Sequence, residues 1–336
     1  GKRGFRFVLG KPERSWELEL QPQLGSAQGV SVACQPDFML RCDDSSIKPI
    51  AIFTDGFEFH VQPEDDEGRL ADDINKRRAI LDSGKYHVWS ITWNDLNEKL
   101  EDTQLSFLHA PVIDNVLQKH AVQKLNAMAS PVPNIYAAVA NPWEQFKAFL
   151  LCPHRASWTL LAESAAGVFM STFAMQGKGV DLNKLQSALE MWRAGYSPAP
   201  IGEDTGDWLW LSRISLTEDM LAYALTAELT VQQFDRLRIG LRLDDSHDER
   251  KKVAIYTQRW RQFLAMLNFF QFANNLTVFT TSEVLSGIAP ELPLDIGAGL
   301  SAAWEDVLEE TASYLDSLVR AMAAIDCAVP VVAFEA

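Results

Sequence analysis

The stretch IAIFTDGFEFH, residues 50–60, decides the fold of the first part of the chain. Its apolar run from Ile50 to Phe53 predicts a buried strand. Three polar residues, Thr54, Asp55 and His60, come where this strand ends, and Gly56 permits a tight exit from it. A carboxylate at the mouth of an apolar strand raises the question of whether a functional site lies there.

Four more short strands surround this one within the first ~92 residues, as period-two or continuous apolar runs indicate. They are SWELELQP, VSVAC, DFMLRC and YHVWSIT. The stretch RLADDINKRRAILDSG has helical spacing and Gly84 as its stop, and WNDLNEKL predicts a short closing helix. These elements predict a mixed sheet with a crossover helix.

The remainder of the chain has a different pattern. Longer helices are predicted in IDNVLQKHAVQKLNAMA, NPWEQFKAFLLC, RASWTLLAESAAGVFMSTFAM, DLNKLQSALEMWRAGY, ERKKVAIYTQRWRQFLAMLNFFQFANN and AGLSAAWEDVLEETASYLDSLVRAMAAI. Three alternating runs between residues 207 and 245 predict a small antiparallel sheet. We find no internal repeat in the sequence. The fold class is therefore predicted as an α/β domain, residues 1–105, followed by a mostly helical α+β region, residues 106–336.

Composition limits the classes of function. The formal net charge of the 336 residues is −15, whereas nucleic-acid binders normally present a basic surface. The chain is thus not predicted to bind DNA on its own, although the local run Lys76, Arg77 and Arg78 is a candidate backbone contact. No stretch of roughly 18 uncharged apolar residues or secretory signal is visible, so we expect no membrane partner and a cytoplasmic location.

Asp37 and Asp55 form the first candidate site. Asp37 begins the hairpin strand that precedes the strand ending in Asp55, so the two carboxylates are expected to converge at one edge of the sheet. Paired hard oxygen ligands suit Mg²⁺, or Mn²⁺ in its place, and such an ion promotes phosphodiester hydrolysis. The alternatives are structural: Asp37 as a turn residue after Pro36, and Asp55 as part of an Asp-Gly turn.

His60 and Asp73 are predicted to face the same cleft. His60 is a candidate for protonating a leaving oxygen or ordering a water, and Asp73 for orienting His60 or holding a metal-bound water. The alternative for His60 is a surface loop position. The alternative for Asp73 is a favourable interaction with the positive end of a helix dipole.

The order of these features carries a resemblance. PDFMLRCDDSSIKPIAIFTDGFEFH followed by DDINKRRAILDSGKYHVWSITWNDL resembles the very-short-patch-repair branch of the PD-(D/E)XK nucleases, over residues 15–97. The resemblance implies a restriction-endonuclease-like domain in which Asp37 is the central metal ligand. It also implies that Thr54 offers its carbonyl to the metal, and that His60 and Asp73 assist near the scissile phosphate.

The sequence departs from the superfamily at two positions. Phe53 stands where the acid of the (D/E)XK triplet is expected, and Asp55 stands where its lysine is expected. The very-short-patch-repair branch, which the sequence resembles, also lacks that acid. The departures leave two hypotheses: Asp55 is a second metal ligand of an active nuclease, or the domain is a catalytically inactive nuclease fold with a structural or DNA-guiding role.

A second resemblance concerns the later part of the chain. WRQFLAMLNFFQF, residues 260–272, together with VPVVAFE near the end, looks like segments at the C-termini of large bacterial DEAD/DEAH-box helicases, including those of antiphage defence. The chain contains no GxxxxGK[ST] motif and begins with Gly. We therefore expect a piece of a longer protein, with helicase motor domains elsewhere in the parent chain and DNA as the partner.

Overall fold

The computed structural model describes residues 4–64, 68–99, 133–173, 187, 190–194, 209–214, 217–224 and 238–292. Two mixed sheets with flanking helices make up this part of the chain. The predicted α/β class is confirmed at that level. The predicted boundary at residue 105, the helix predicted from residue 113 and the last helix and strand lie outside the described residues.

The first sheet has five strands in the order β1-β2-β3-β4-β5, all antiparallel except the parallel β4 and β5 pair. Its strands are β1 (Gly4–Leu9), β2 (Arg14–Leu20), β3 (Phe38–Cys42), β4 (Ile50–Asp55) and β5 (His87–Thr92). Its helices are α1 (Phe57–His60), α2 (Leu70–Asp82) and α3 (Trp93–Asn97), with a 3-10 turn at Ser26–Gln28. Helix α2 is the crossover between the two parallel strands.

Most of the elements expected in this region form, with two exceptions. The prediction of a strand in VSVAC is wrong. Residues 30–34 form no strand, and their one ladder contact is an isolated bridge from Cys34 to Leu24. Strand β1 was not expected, and it pairs with β2 at the outer edge of the sheet.

The second sheet has four strands in the order β6-β7-β8-β9. They are β6 (Leu209–Ile214), β7 (Thr217–Ala224), β8 (Arg238–Leu243) and β9 (Leu276–Thr280). The helices from residue 133 onward are α4 (Ile135–Ala138), α5 (Pro142–Leu151), α6 (Arg155–Phe173), α7 (His247–Arg250), α8 (Val253–Phe270) and α9 (Thr281–Leu285). The predicted antiparallel sheet is present, but β9 adds a parallel strand beside β8.

The two sheets repeat one arrangement. In each, an antiparallel strand is followed by a one-turn helix, a long crossover helix, a parallel strand and a short helix. Ile50–Asp55 and Arg238–Leu243 lie 188 positions apart (238 minus 50), as do Trp93–Asn97 and Thr281–Leu285 (281 minus 93). We call residues 4–99 the first unit and the described residues of 209–292 the second unit. The repeat is not visible in the amino-acid sequence, because hardly any residue is identical at equivalent positions of the two units.

One local signal does recur in both units. Thr92 caps α3 and forms a reciprocal capping box with Asp95, and Thr280 does the same for α9 with Glu283. A capping box satisfies two backbone donors that a helix start would otherwise leave unpaired. Each parallel strand therefore passes into its short helix by the same chemistry.

Each long helix packs against the parallel strand of the other unit: α2 against β9, and α8 against β5. Each helix also donates an arginine to the acid of the other unit's capping box. Arg78 of α2 bonds Glu283 at 2.6 Å, and Arg261 of α8 bonds Asp95 at 2.7 Å. The contact between the units is therefore reciprocal, and one apolar core contains residues of both.

Two amide side chains of α8 complete the outer edge of β5. Asn268 accepts from the N–H of Ser90 and donates to its carbonyl, both at 2.8 Å. Gln271 does the same for Val88, at 2.9 and 2.6 Å. These four bonds replace the ladder that a sixth strand would have supplied.

Substitution of Asn268 tests this edge. In Asn268→Ala both backbone groups of Ser90 lose their partners in the interior, so the free energy of unfolding should fall by about 2 to 4 kcal/mol. Urea denaturation gives the value. The matched control is Asn274→Ala, because Asn274 is exposed and bonds the surface residue Glu163. Equal losses from the two variants would contradict the role of Asn268.

His87 makes stability depend on pH. Its ring packs between Phe149 and Phe272, with centroids 5.4 and 4.8 Å away. Burial, with the charges of Lys48 and Arg155, lowers the pKa of His87 from 6.5 to about 3. The unfolded chain therefore binds one proton more than the folded protein between these two pH values, so the stabilisation is complete above pH 6.5 and is lost as the pH falls toward 3.

The variant His87→Phe should remove up to about 1.4 kcal/mol per pH unit from the slope of unfolding free energy between pH 6 and 4. Denaturant titrations at several pH values give this slope. His154→Gln, at an exposed position, should keep the slope of the unsubstituted chain. The same slope in both variants would show that His87 does not carry the effect.

Candidate functional site

Asp37 lies immediately before β3 and is fixed to the end of β4. Its Oδ2 accepts hydrogen bonds from the Thr54 backbone N–H at 2.7 Å and from Thr54 Oγ1 at 2.8 Å. The antiparallel register that pairs Phe38 with Ile52 brings the two residues together. The sequence predicted that the carboxylates of Asp37 and Asp55 converge, but the residue of β4 that the Asp37 carboxylate contacts is Thr54.

His60 and Asp73 form a hydrogen-bonded pair. His60 ends α1, Asp73 lies in the first turn of α2, and Nδ1 of His60 lies 2.6 Å from Oδ2 of Asp73. Burial raises the pKa of Asp73, but the hydrogen bond from His60 and the charge of Arg77 outweigh it, so the pKa lies below its ordinary value. Asp73 is therefore a carboxylate at neutral pH, and it orients the imidazole through Nδ1.

Asp55 lies on the opposite side of β4 from Thr54, as alternation along a strand requires. Its side chain is 1% exposed and pairs with the guanidinium of Arg77, which is itself buried. Oδ1 of Asp55 also lies 3.5 Å from Nε2 of His60. Oδ2 is buried and has no hydrogen-bond partner among the described residues.

Arg77 is held from several directions. Its Nε donates to Ser90 Oγ at 2.9 Å, its Nη1 donates to the Asp73 carbonyl at 3.0 Å, and its guanidinium lies 4.4 Å above the Phe53 ring. Phe53 thus provides a cation–π contact. Arg77 thus supplies a buried positive charge next to Asp55.

An open cleft of about 660 Å³ lies over this arrangement. Six of its lining residues carry the functional groups or flank them: Asp37, Thr54, Phe59, His60, Asp73 and Lys76. Five predicted site residues therefore line one cleft, namely Asp37, Thr54, His60, Asp73 and Lys76. Asp55 lies beneath it and reaches it through His60.

The three basic residues of the candidate DNA contact have different environments. Lys76 lines the cleft and pairs with Asp72. Arg77 is buried beneath the cleft, and Arg78 bonds Glu283 and the carbonyl of Val278 in the second unit. Lys76 is thus the member of the run that lines the cleft.

A metal ion can be tested against the donor set. Among the described residues, no group of three or more His, Cys, Asp and Glu side chains could hold a metal. Asp37 has one oxygen engaged by Thr54 and offers one carboxylate to the cleft. Mg²⁺ is commonly held by one or two carboxylates together with water and substrate phosphate. Asp37 is therefore the residue that would have to hold such an ion, together with water and a phosphate.

The burial of Arg77 was signalled in the sequence. Leu70, Ile74, Arg77 and Leu81 recur at the spacing of one helix face, so Arg77 occupies a position of the apolar stripe. Its neighbours in the NKRR run obscured this position. The pairing of Arg78 with the second unit had no local signal, because its partner lies 205 positions away.

No protein-family model, curated protein or solved structure matches this chain. The helices of the described residues include none that is long and apolar enough to cross a membrane. Function is therefore inferred from the site itself.

The buried pair of Asp55 and Arg77 should behave as one unit in stability measurements. Arg77→Met leaves a buried carboxylate without its counter-charge and should cost about 3 to 5 kcal/mol of unfolding free energy. The double variant Asp55→Leu/Arg77→Met should recover most of this loss, because neither charge remains. Chemical denaturation of the single and double variants completes the cycle.

Lys76→Met is the control on the same helix, since its pair with Asp72 is exposed and contributes little. If the losses of unfolding free energy in Asp55→Leu and Arg77→Met add up to the loss in the double variant, Asp55 and Arg77 are not coupled.

Proposed function

We propose that the cleft hydrolyses DNA phosphodiesters in a divalent-metal-dependent reaction, as a restriction-endonuclease-like site. The observation that carries the proposal is that Asp37 and the His60–Asp73 pair open on one cleft. A carboxylate that can hold a cation beside an oriented imidazole is a constellation suited to phosphoryl chemistry. DNA as substrate, and helicase motor domains of a longer chain as partner, come from the sequence resemblance, as do the defence role and the cytoplasmic location.

The residues have separate roles in this proposal. Thr54 fixes the Asp37 carboxylate through two donors to Oδ2, and Oδ1 would be the oxygen that holds a cation. When bound, Mg²⁺ or Mn²⁺ would stabilise charge developing on the phosphate and lower the pKa of a coordinated water. Lys76 adds a positive charge at the wall of the cleft, where it meets a phosphate oxygen.

His60 is the residue that transfers a proton in the proposed reaction. Asp73 accepts a hydrogen bond from Nδ1–H, so Nε2 is the ring atom that takes a proton from water or gives one to the leaving oxygen. When the ring is protonated, the Asp55 carboxylate lies 3.5 Å from Nε2 and balances the charge. Arg77 provides the buried counter-charge of the Asp55 carboxylate.

A second candidate function has its own supporting observation. Asp55 is neutralised by Arg77, and Phe53 replaces the acid of the superfamily triplet. Asp37 is then the one carboxylate among the described lining residues that is not bonded to His60. With this single carboxylate and a net charge of −15, the same fold would serve as a catalytically inactive module that supports or guides DNA within a helicase.

Plasmid nicking with Mg²⁺ or Mn²⁺ tests the first proposal, using this chain and any longer protein that contains it. Asp37→Asn should abolish nicking, and Asp73→Asn should slow it by at least about 10²-fold, the usual contribution of a positioned acid or base. DNA binding, measured by fluorescence anisotropy, should be retained in Asp73→Asn.

Asp72→Asn is the matched control, because Asp72 precedes Asp73 on the same helix and is exposed in a pair with Lys76. It should nick at the rate of the unsubstituted protein. If the protein binds DNA but nicks it with neither Mg²⁺ nor Mn²⁺, the nuclease proposal fails and the inactive module is the supported function. Nicking that survives Asp37→Asn would place the chemistry outside this cleft.

A further inference from the structure

The segment that carries His60 depends on contacts outside the first unit. Helix α1 has four residues, so its backbone bonds amount to a single turn. The chain then passes through Gln62, whose φ of 47° lies in the left-handed region that non-glycine residues seldom occupy. A one-turn helix that leads into an unfavourable backbone conformation does not hold its own orientation.

Arg250 of the second unit supplies the missing support. Its Nη1 donates to the carbonyls of Val61 and Gln62 at 2.8 and 2.5 Å, and its Nε donates to the Asp245 carbonyl at 3.0 Å. Arg250 is 1% exposed. Gly68 also lies close to it, since a Cβ built on Gly68 would lie 3.0 Å from the guanidinium. One buried side chain therefore joins the turn after His60 to the second unit.

The position of Arg250 follows from the repeat. Helix α7 follows β8 as α1 follows β4, so Arg250 ends the second unit's counterpart of the helix that His60 ends. The next long helix adds a contact at the start of α1, where the Phe57 ring meets Trp260 edge to face at 5.6 Å. The second unit thus holds α1 at both ends.

We propose that Arg250 is a positioning residue that sets the orientation of His60, and that the second unit serves as a permanent scaffold for the site of the first. The catalytic consequence rests on the proposed nuclease function. The structural consequence does not, because the bonds to Val61 and Gln62 define where His60 lies whether or not the site is active.

Arginine suits this role better than lysine. The planar guanidinium presents donors in a fixed fork, so Nη1 and Nε reach three carbonyls in two directions at once. A lysine ammonium can satisfy some of these carbonyls, but it does not fix their relative directions. Arg250→Lys is therefore expected to restore part of the effect that Arg250→Gln removes.

The test combines two readouts on the full chain. The first is the imidazole NMR spectrum of histidine-labelled protein, with the His60 signals assigned through His60→Gln. Arg250→Gln should shift or broaden the His60 ring signals, and Arg250→Lys should move them part of the way back. The second readout is nicking: kcat should fall at least tenfold in Arg250→Gln with little change in KM for DNA, since small misplacements of a catalytic group cost up to about 10²-fold.

Arg261→Gln is the matched control. Arg261 is also a buried arginine of the second unit that bonds the first, but it contacts Asp95 and Glu98 rather than the His60 turn. It should lower thermal stability while leaving the His60 signals in place. If the His60 ring signals are as unshifted in Arg250→Gln as in Arg261→Gln, the proposal is overturned.

The outcomes separate this proposal from the nuclease proposal. If the unsubstituted protein does not nick DNA, the nuclease proposal fails while the NMR readout still decides the role of Arg250. If it nicks and Arg250→Gln nicks at the same rate with unchanged His60 signals, the positioning role fails and the nuclease proposal stands.

Discussion

The outer edge of β5 is the constraint on which the rest of the structure depends. An edge strand presents unpaired N–H and C=O groups, and in the interior such groups must find partners. Asn268 and Gln271 provide them from one face of α8. This requirement fixes α8 against β5, and α8 in turn brings the second unit against the first. The site at the end of β4 therefore depends on an amide pair that touches none of its residues.

Much of the first unit could be predicted from its sequence. Apolar runs gave the positions of β2 to β5, and helical spacing gave α2, because each pattern reports which side chains are buried. Asp37, His60 and Asp73 became candidate site residues through their places near strand ends and in a helix, together with the resemblance. Strand β1 was missed, since its residues are largely exposed and form no buried face. The VSVAC run was misassigned because apolar residues also pack beneath loops, as Val30 and Cys34 do.

The second unit was harder to predict for a physical reason. Its fold repeats that of the first, but the repeat lies in backbone geometry and in the capping boxes of Thr92 and Thr280. The pairing of Asp55 with Arg77 could not be predicted from the sequence either. A carboxylate at a strand end and an arginine in a basic run both suggest an exposed site, whereas only the three-dimensional packing pairs them beneath the cleft.

The reciprocal contact between the two units has a consequence for how the site is assembled. Many sites that need a second subunit exist only at concentrations at which the subunits associate. Here both partners belong to one polypeptide, so each unit meets the other at an effective concentration set by the connecting chain. The orientation of His60 is then independent of how dilute the protein is, and the scaffold accompanies the site at a ratio of one to one.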